Sequence, residues 1–90
     1  MTEYRRAVDL MEAPLGVEIV ALDPAAGICF GFNSVASSVW TLLAEPRSFE
    51  ELRDALLKEY EVGEEECANE LRTLLADLTA RNLICNCRAN

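Results

Sequence analysis

The rhythm of hydrophobic and polar positions changes once along the chain, near Asn33. Before that point it is strand-like. Ala7–Met11 is a short, partly apolar run that Ala13-Pro14-Leu15-Gly16 interrupts. Gly16–Leu22 is rich in β-branched residues and too short for a helix. Asp23-Pro24-Ala25-Ala26-Gly27 reads as a turn, because Asp caps it, Pro fits its second position and Gly accepts positive φ at its end. Ile28-Cys29-Phe30-Gly31-Phe32 then alternates, with Ile28, Phe30 and Phe32 on one face and the small Cys29 and Gly31 on the other. These last two runs predict a hairpin, with Ala7–Met11 as a third strand.

After Asn33 the period becomes helical. Asn33-Ser34 can cap a helix that places Val35, Val39, Leu42 and Leu43 at three-to-four-residue spacing, and Glu45-Pro46-Arg47 ends it. Ser48-Phe49-Glu50-Glu51 is a capping box that opens a second helix with Phe49, Leu52, Leu56 and Tyr60 as its stripe. Val62-Gly63 breaks the chain again. Glu64-Glu65-Glu66 suits the positive end of a third helix, which runs to about Arg81 with Cys67, Leu71, Leu74, Leu75 and Leu78 as its apolar stripe. Asn82 can close it. The order predicts an α+β fold: a three-stranded antiparallel sheet followed by three helices, winged-helix-like but with the sheet first. One domain over residues 1–84 with a C-terminal tail, 85–90, fits a chain of 90 residues.

Composition narrows what such a domain can do. Sixteen Asp and Glu against eight Lys and Arg give a net charge of −8. That balance argues against nucleic acid and against an anionic membrane surface, both of which recruit Lys and Arg. The second helix would offer a DNA groove Glu50, Glu51, Asp54 and Glu59 against only Arg53 and Lys58. The chain contains no histidine, so Ser-His and Cys-His dyads and the commonest zinc nitrogen ligand are absent. No run approaches the ~20 apolar residues of a membrane span, and no signal peptide is visible, so a cytoplasmic location with reduced thiols is expected. A binding module is expected rather than an enzyme, with no cofactor and no metal.

Two features remain as candidates for chemistry. Cys85-Asn86-Cys87 could offer two thiolates to a metal or redox site, but such a site needs four ligands, and a frayed tail is the simpler reading. The run Ile28–Phe32 carries no charge and no Pro, so as a last strand it has none of the usual edge protection. An extended peptide could add to it; a covering helix or a dimer contact is the alternative.

The segment Leu22-Asp23-Pro24, Gly27 and Phe30-Gly31-Phe32-Asn33-Ser34-Val35-Ala36-Ser37-Ser38-Val39-Trp40-Thr41-Leu42-Leu43 resembles the PqqD-like family, the recognition elements of ribosomal peptide biosynthesis. Pro46-Arg47-Ser48, Glu51-Leu52, Tyr60, Val62 and Arg81, Leu83-Ile84 extend the resemblance over about residues 4 to 84. Phe32 departs from it, since Leu is usual before the Asn, and the Cys-x-Cys tail lies outside it. The resemblance implies a non-catalytic adaptor. It would bind the leader of a precursor peptide as an antiparallel strand and present it to a modifying enzyme or leader protease, with a lasso-peptide pathway favoured and a chaperone for a radical-SAM enzyme as the alternative. It implies a peptide site made by Ile28, Cys29, Phe30, Gly31 and Phe32 on one side and by Glu70, Leu71, Leu74, Leu75 and Leu78 on the other. The acids of the second helix and of the start of the third would flank that groove and favour a peptide carrying Lys or Arg.

Overall fold

The computed structural model describes residues 2–88. Its elements are β1 (Thr2–Arg6), β2 (Met11–Leu15), β3 (Glu18–Asp23), β4 (Ile28–Phe32), α1 (Ser34–Leu42), β5 (Arg47–Ser48), α2 (Phe49–Glu59), α3 (Glu64–Ala80) and β6 (Ile84–Arg88). Two antiparallel sheets form, one in the order β2-β3-β4 and one in the order β5-β1-β6. The fold is α+β, as expected, and the three-stranded sheet is followed by the three helices.

Local signals explain most of these elements. Asp23 Oδ1 accepts from the amides of Ala25 and Ala26, and the Gly27 amide, at φ 69°, returns to the Asp23 carbonyl at 2.8 Å. Asn33 caps α1 by accepting from the Ala36 amide, and Ser48 and Glu51 form the full capping box of α2. The Ser48 amide and hydroxyl hold the Glu51 carboxyl below its ordinary pKa. At the end of α3 the Leu83 amide reaches the Leu78 carbonyl and Asn82, at φ 61°, reaches Thr79, which together make a Schellman motif.

The differences from the sequence reading concern the strands. Ala7–Leu10 is a connection, and the strand beside it is Met11–Leu15, through Pro14. Pro14 is tolerated because it stands opposite Ile19, whose polar groups face the other way, so no ladder amide is lost inside the sheet. Thr2–Arg6 pairs with Ile84–Arg88 in the register Glu3↔Cys87 to Arg6↔Ile84. The last strand thus carries the fold past residue 84 and makes Cys85 and Cys87 members of a sheet; Ala89 and Asn90 lie outside the described residues.

One hydrophobic core lies under both sheets. Trp40, Leu43, Leu52, Leu71, Leu83, Ile84 and Val39 are fully buried in it. Trp40 joins the sheets: its indole donates to Glu12 at 3.1 Å, the Arg6 guanidinium lies 4.3 Å from its ring centroid, and Arg6 and Glu12 pair at 3.6 Å. Among the described residues no buried side-chain polar atom lacks a partner. No described helix is long and apolar enough to cross a membrane.

Candidate functional site

The backbone of the β2-β3-β4 sheet determines where polar groups are left open. A two-residue connection, Gly16-Val17, joins β2 to β3, with Gly16 at φ 67° and Leu15 opposite Glu18. Positive φ at the first central position alone marks a type II′ hairpin, whose flanking residues form a hydrogen-bonded pair. Alternation along β3 then turns Glu18, Val20 and Leu22 toward β2, and Ile19, Ala21 and Asp23 toward β4. Their partners on β4 are Phe32, Phe30 and Ile28. Ser37 marks the same direction at one end: its hydroxyl accepts from the Ile19 amide at 3.0 Å and donates to the Phe32 carbonyl at 3.1 Å. Cys29 and Gly31 therefore point their N–H and C=O groups out of the sheet, at an edge where no described strand pairs.

The two edges of this sheet are unlike. By the same alternation β2 turns the backbone polar groups of Glu12 and Pro14 toward its open edge, and Pro14 has no amide to offer a new strand. The β4 edge carries neither a charge nor a proline.

That open edge faces α3 across a groove. A cleft of about 230 Å³ is lined by Cys29–Phe32 together with Leu74, Asp77, Leu78 and Arg81. It shares Asn33, Leu74 and Asp77 with a wider cavity of about 660 Å³ that Val35, Asn69, Glu70 and Thr73 complete. Beyond it, Glu70 and Val35 also border a small, largely apolar recess of about 60 Å³ with Leu56, Tyr60, Val62, Cys67 and Leu71. A separate depression of about 300 Å³ near Pro14, Gly16 and Ser37 lies away from the open backbone of β4.

The structure divides the residues expected on α3 into two stripes. Glu70 and Leu74 line the groove, and Leu78 forms its floor while remaining 2% exposed. Leu71 and Leu75 turn into the core, at 0% and 2% exposure, so neither forms the main groove wall; Leu71 reaches only the small recess. The reason is angular: successive helical residues are about 100° apart, so Glu70, Leu74, Asp77 and Arg81 share one face and Leu71, Leu75 and Leu78 the next. Asn33, Val35, Asn69, Thr73, Asp77 and Arg81 were missed. For Asp77, and for Arg81 one turn further, helical spacing from Leu74 was the available signal.

Charge at the groove also differs from expectation. The acids of α2 line neither part of it, and Glu64–Glu66 occupy only the first turn of α3. Its acids are Glu70 and Asp77, and Asp77 is paired with Arg81 at 3.1 Å in an exposed i,i+4 bridge. Among the described residues Glu70 has no salt-bridge partner, so it is the unpaired acid of the groove lining.

The cysteines stand apart from this site, except Cys29 on its edge. Cys67 is buried near the start of α3, and burial raises its thiol pKa. Cys85 and Cys87 are half-buried neighbours on one face of β6, with sulfurs 3.3 Å apart; the contact between them pushes the Cys85 thiol up. Among the described residues no group of three or more His, Cys, Asp or Glu is placed to hold a metal ion.

Comparison with known proteins follows the same lines. The sequence profile of the family described as "Coenzyme PQQ synthesis protein D (PqqD)" matches residues 18–84. The chain belongs to the PqqD family. The match takes in β3, β4, all three helices and the first residue of β6, and so the whole groove of this PqqD-family protein. A solved structure described as "TbiB1 in Complex with the TbiA(beta) Leader Peptide" is similar to it at 31% identity and a TM-score of 0.78, over 89% of this chain and 93% of that one. No curated protein matches this PqqD-family chain.

Proposed function

We propose that this protein is a non-catalytic adaptor of ribosomal peptide biosynthesis. It binds the leader of a precursor peptide as an antiparallel strand on β4 and presents the peptide to a modifying enzyme or leader protease. The observation that carries this reading is the pair Cys29 and Gly31, whose open N–H and C=O groups border the groove against α3. An added strand satisfies those groups and places alternate side chains into the groove, where Leu74 and Leu78 receive them. The similarity to a leader-peptide complex over nearly the whole of both chains supports the same reading. The working setting is a lasso-peptide pathway in the cytoplasm.

Titration with a labelled leader peptide from the precursor encoded beside this chain tests it. Micromolar or tighter binding is expected. Failure to bind any neighbouring precursor overturns the proposal.

A further inference from the structure

The outer face of the β2-β3-β4 sheet is apolar, and none of the described residues covers it. Residues opposite one another in an antiparallel ladder share a face, so Met11, Ala13, Leu15, Val20, Leu22 and Cys29 all point away from the core. Met11 and Leu15 are 64% and 65% exposed. An antiparallel sheet with one wet face ordinarily turns polar residues outward. Here β2 does the reverse: Glu12 points inward to Trp40 and Arg6, and Met11 and Leu15 point out. The Glu12 contacts hold that register, because a slip by one residue would exchange the two faces.

We propose that this face docks the enzyme that processes the bound peptide, through an apolar patch rimmed by basic residues. The proposal rests on the leader-binding reading, because a strand added to β4 widens the same sheet. Alternate side chains of the peptide then join Cys29, Leu22 and Met11 on one continuous outer surface. An enzyme seated there contacts adaptor and peptide together, which couples docking to the presence of cargo. The only acid on this face is Glu18, on a chain of net charge −8, so a basic rim is the complementary one. A second copy of this chain would instead bring Glu18 and its excess negative charge against their own kind.

The test uses the full chain with Met11→Lys and Leu15→Lys combined, both at exposed strand positions, and checks that the thermal melt is retained. Anisotropy with the labelled leader is expected to give an affinity within twofold of wild type. Binding of the processing enzyme encoded beside the precursor, measured with leader present, is expected to weaken at least tenfold. Glu18→Lys alone is expected to weaken that binding in a salt-dependent way. Unchanged enzyme binding by the double variant overturns the proposal. So does loss of leader affinity in that variant, or a wild-type dimer that the double substitution dissociates. Failure of wild-type protein to bind any leader would instead overturn the adaptor reading itself.

Discussion

Replacing Gly31 with proline separates the fold from the function. The Gly31 amide points to the open edge of β4, opposite Val20, whose own polar groups face β2. Proline therefore removes no hydrogen bond from the existing sheet, whereas the same change at Phe30 would remove a ladder donor to β3. In a complex the loss is different. The leader carbonyl that Gly31 would serve is buried against a methylene, and an unsatisfied buried acceptor costs about 1–3 kcal/mol. At 1.4 kcal/mol per decade that is a fivefold to roughly 150-fold weaker complex. Gly31→Ala is the control, since a Cβ there meets nothing within 4 Å and its amide is kept. Anisotropy with a labelled leader should show wild-type affinity for the alanine variant and the stated loss for the proline variant, and both should melt cooperatively. Proline binding within twofold of wild type would refute the assignment of this edge.

Other consequences follow from the two stripes of α3, the α2 cap and the thiols. Leu74→Glu, in the groove, is expected to weaken leader binding at least tenfold in titrations while leaving the melt largely intact. Leu71→Ala, in the core, is expected to lower stability by about 2–5 kcal/mol in urea denaturation. Glu51 has its pKa depressed by the cap, so its stabilising contribution is present above the ordinary carboxylate range and lost as pH falls through the depressed value. Urea midpoints from neutral to acidic pH should therefore fall less steeply for Glu51→Gln than for wild type. A brief maleimide pulse on the native protein should label the exposed Cys29 and spare the buried Cys67, as read by peptide mass spectrometry.

What the sequence made legible was what is local. The turn at Asp23–Gly27, the Asn33 cap, the capping box at Ser48 and the end of α3 are each written within about five residues, and each stands where expected. The β1–β6 pairing was invisible because its two strands lie at opposite ends of the chain, and Thr2-Glu3-Tyr4-Arg5-Arg6 has no apolar alternation to announce it. Pro14 concealed β2 for a related reason: whether a proline ends a strand or sits harmlessly on its edge depends on the partner opposite. The unguarded edge of β4 could be read from residues 28–32, because the absence of charge and proline is a property of the run itself. Its far wall could not be resolved among leucines of one helix. Leu71, Leu74 and Leu75 are the same residue type, and only the angle of α3 against the core sorts them.

The central claim is that a peptide strand is received by the open backbone of β4. Amide hydrogen exchange resolved by residue, with and without saturating leader peptide, tests it most directly. The account predicts that the amides of Cys29 and Gly31 are fast in the free protein and become protected on binding. The amides of Phe30 and other residues turned toward β3 should change little. Unchanged exchange at Cys29 and Gly31 with leader bound, or new protection along β2 instead, would contradict it.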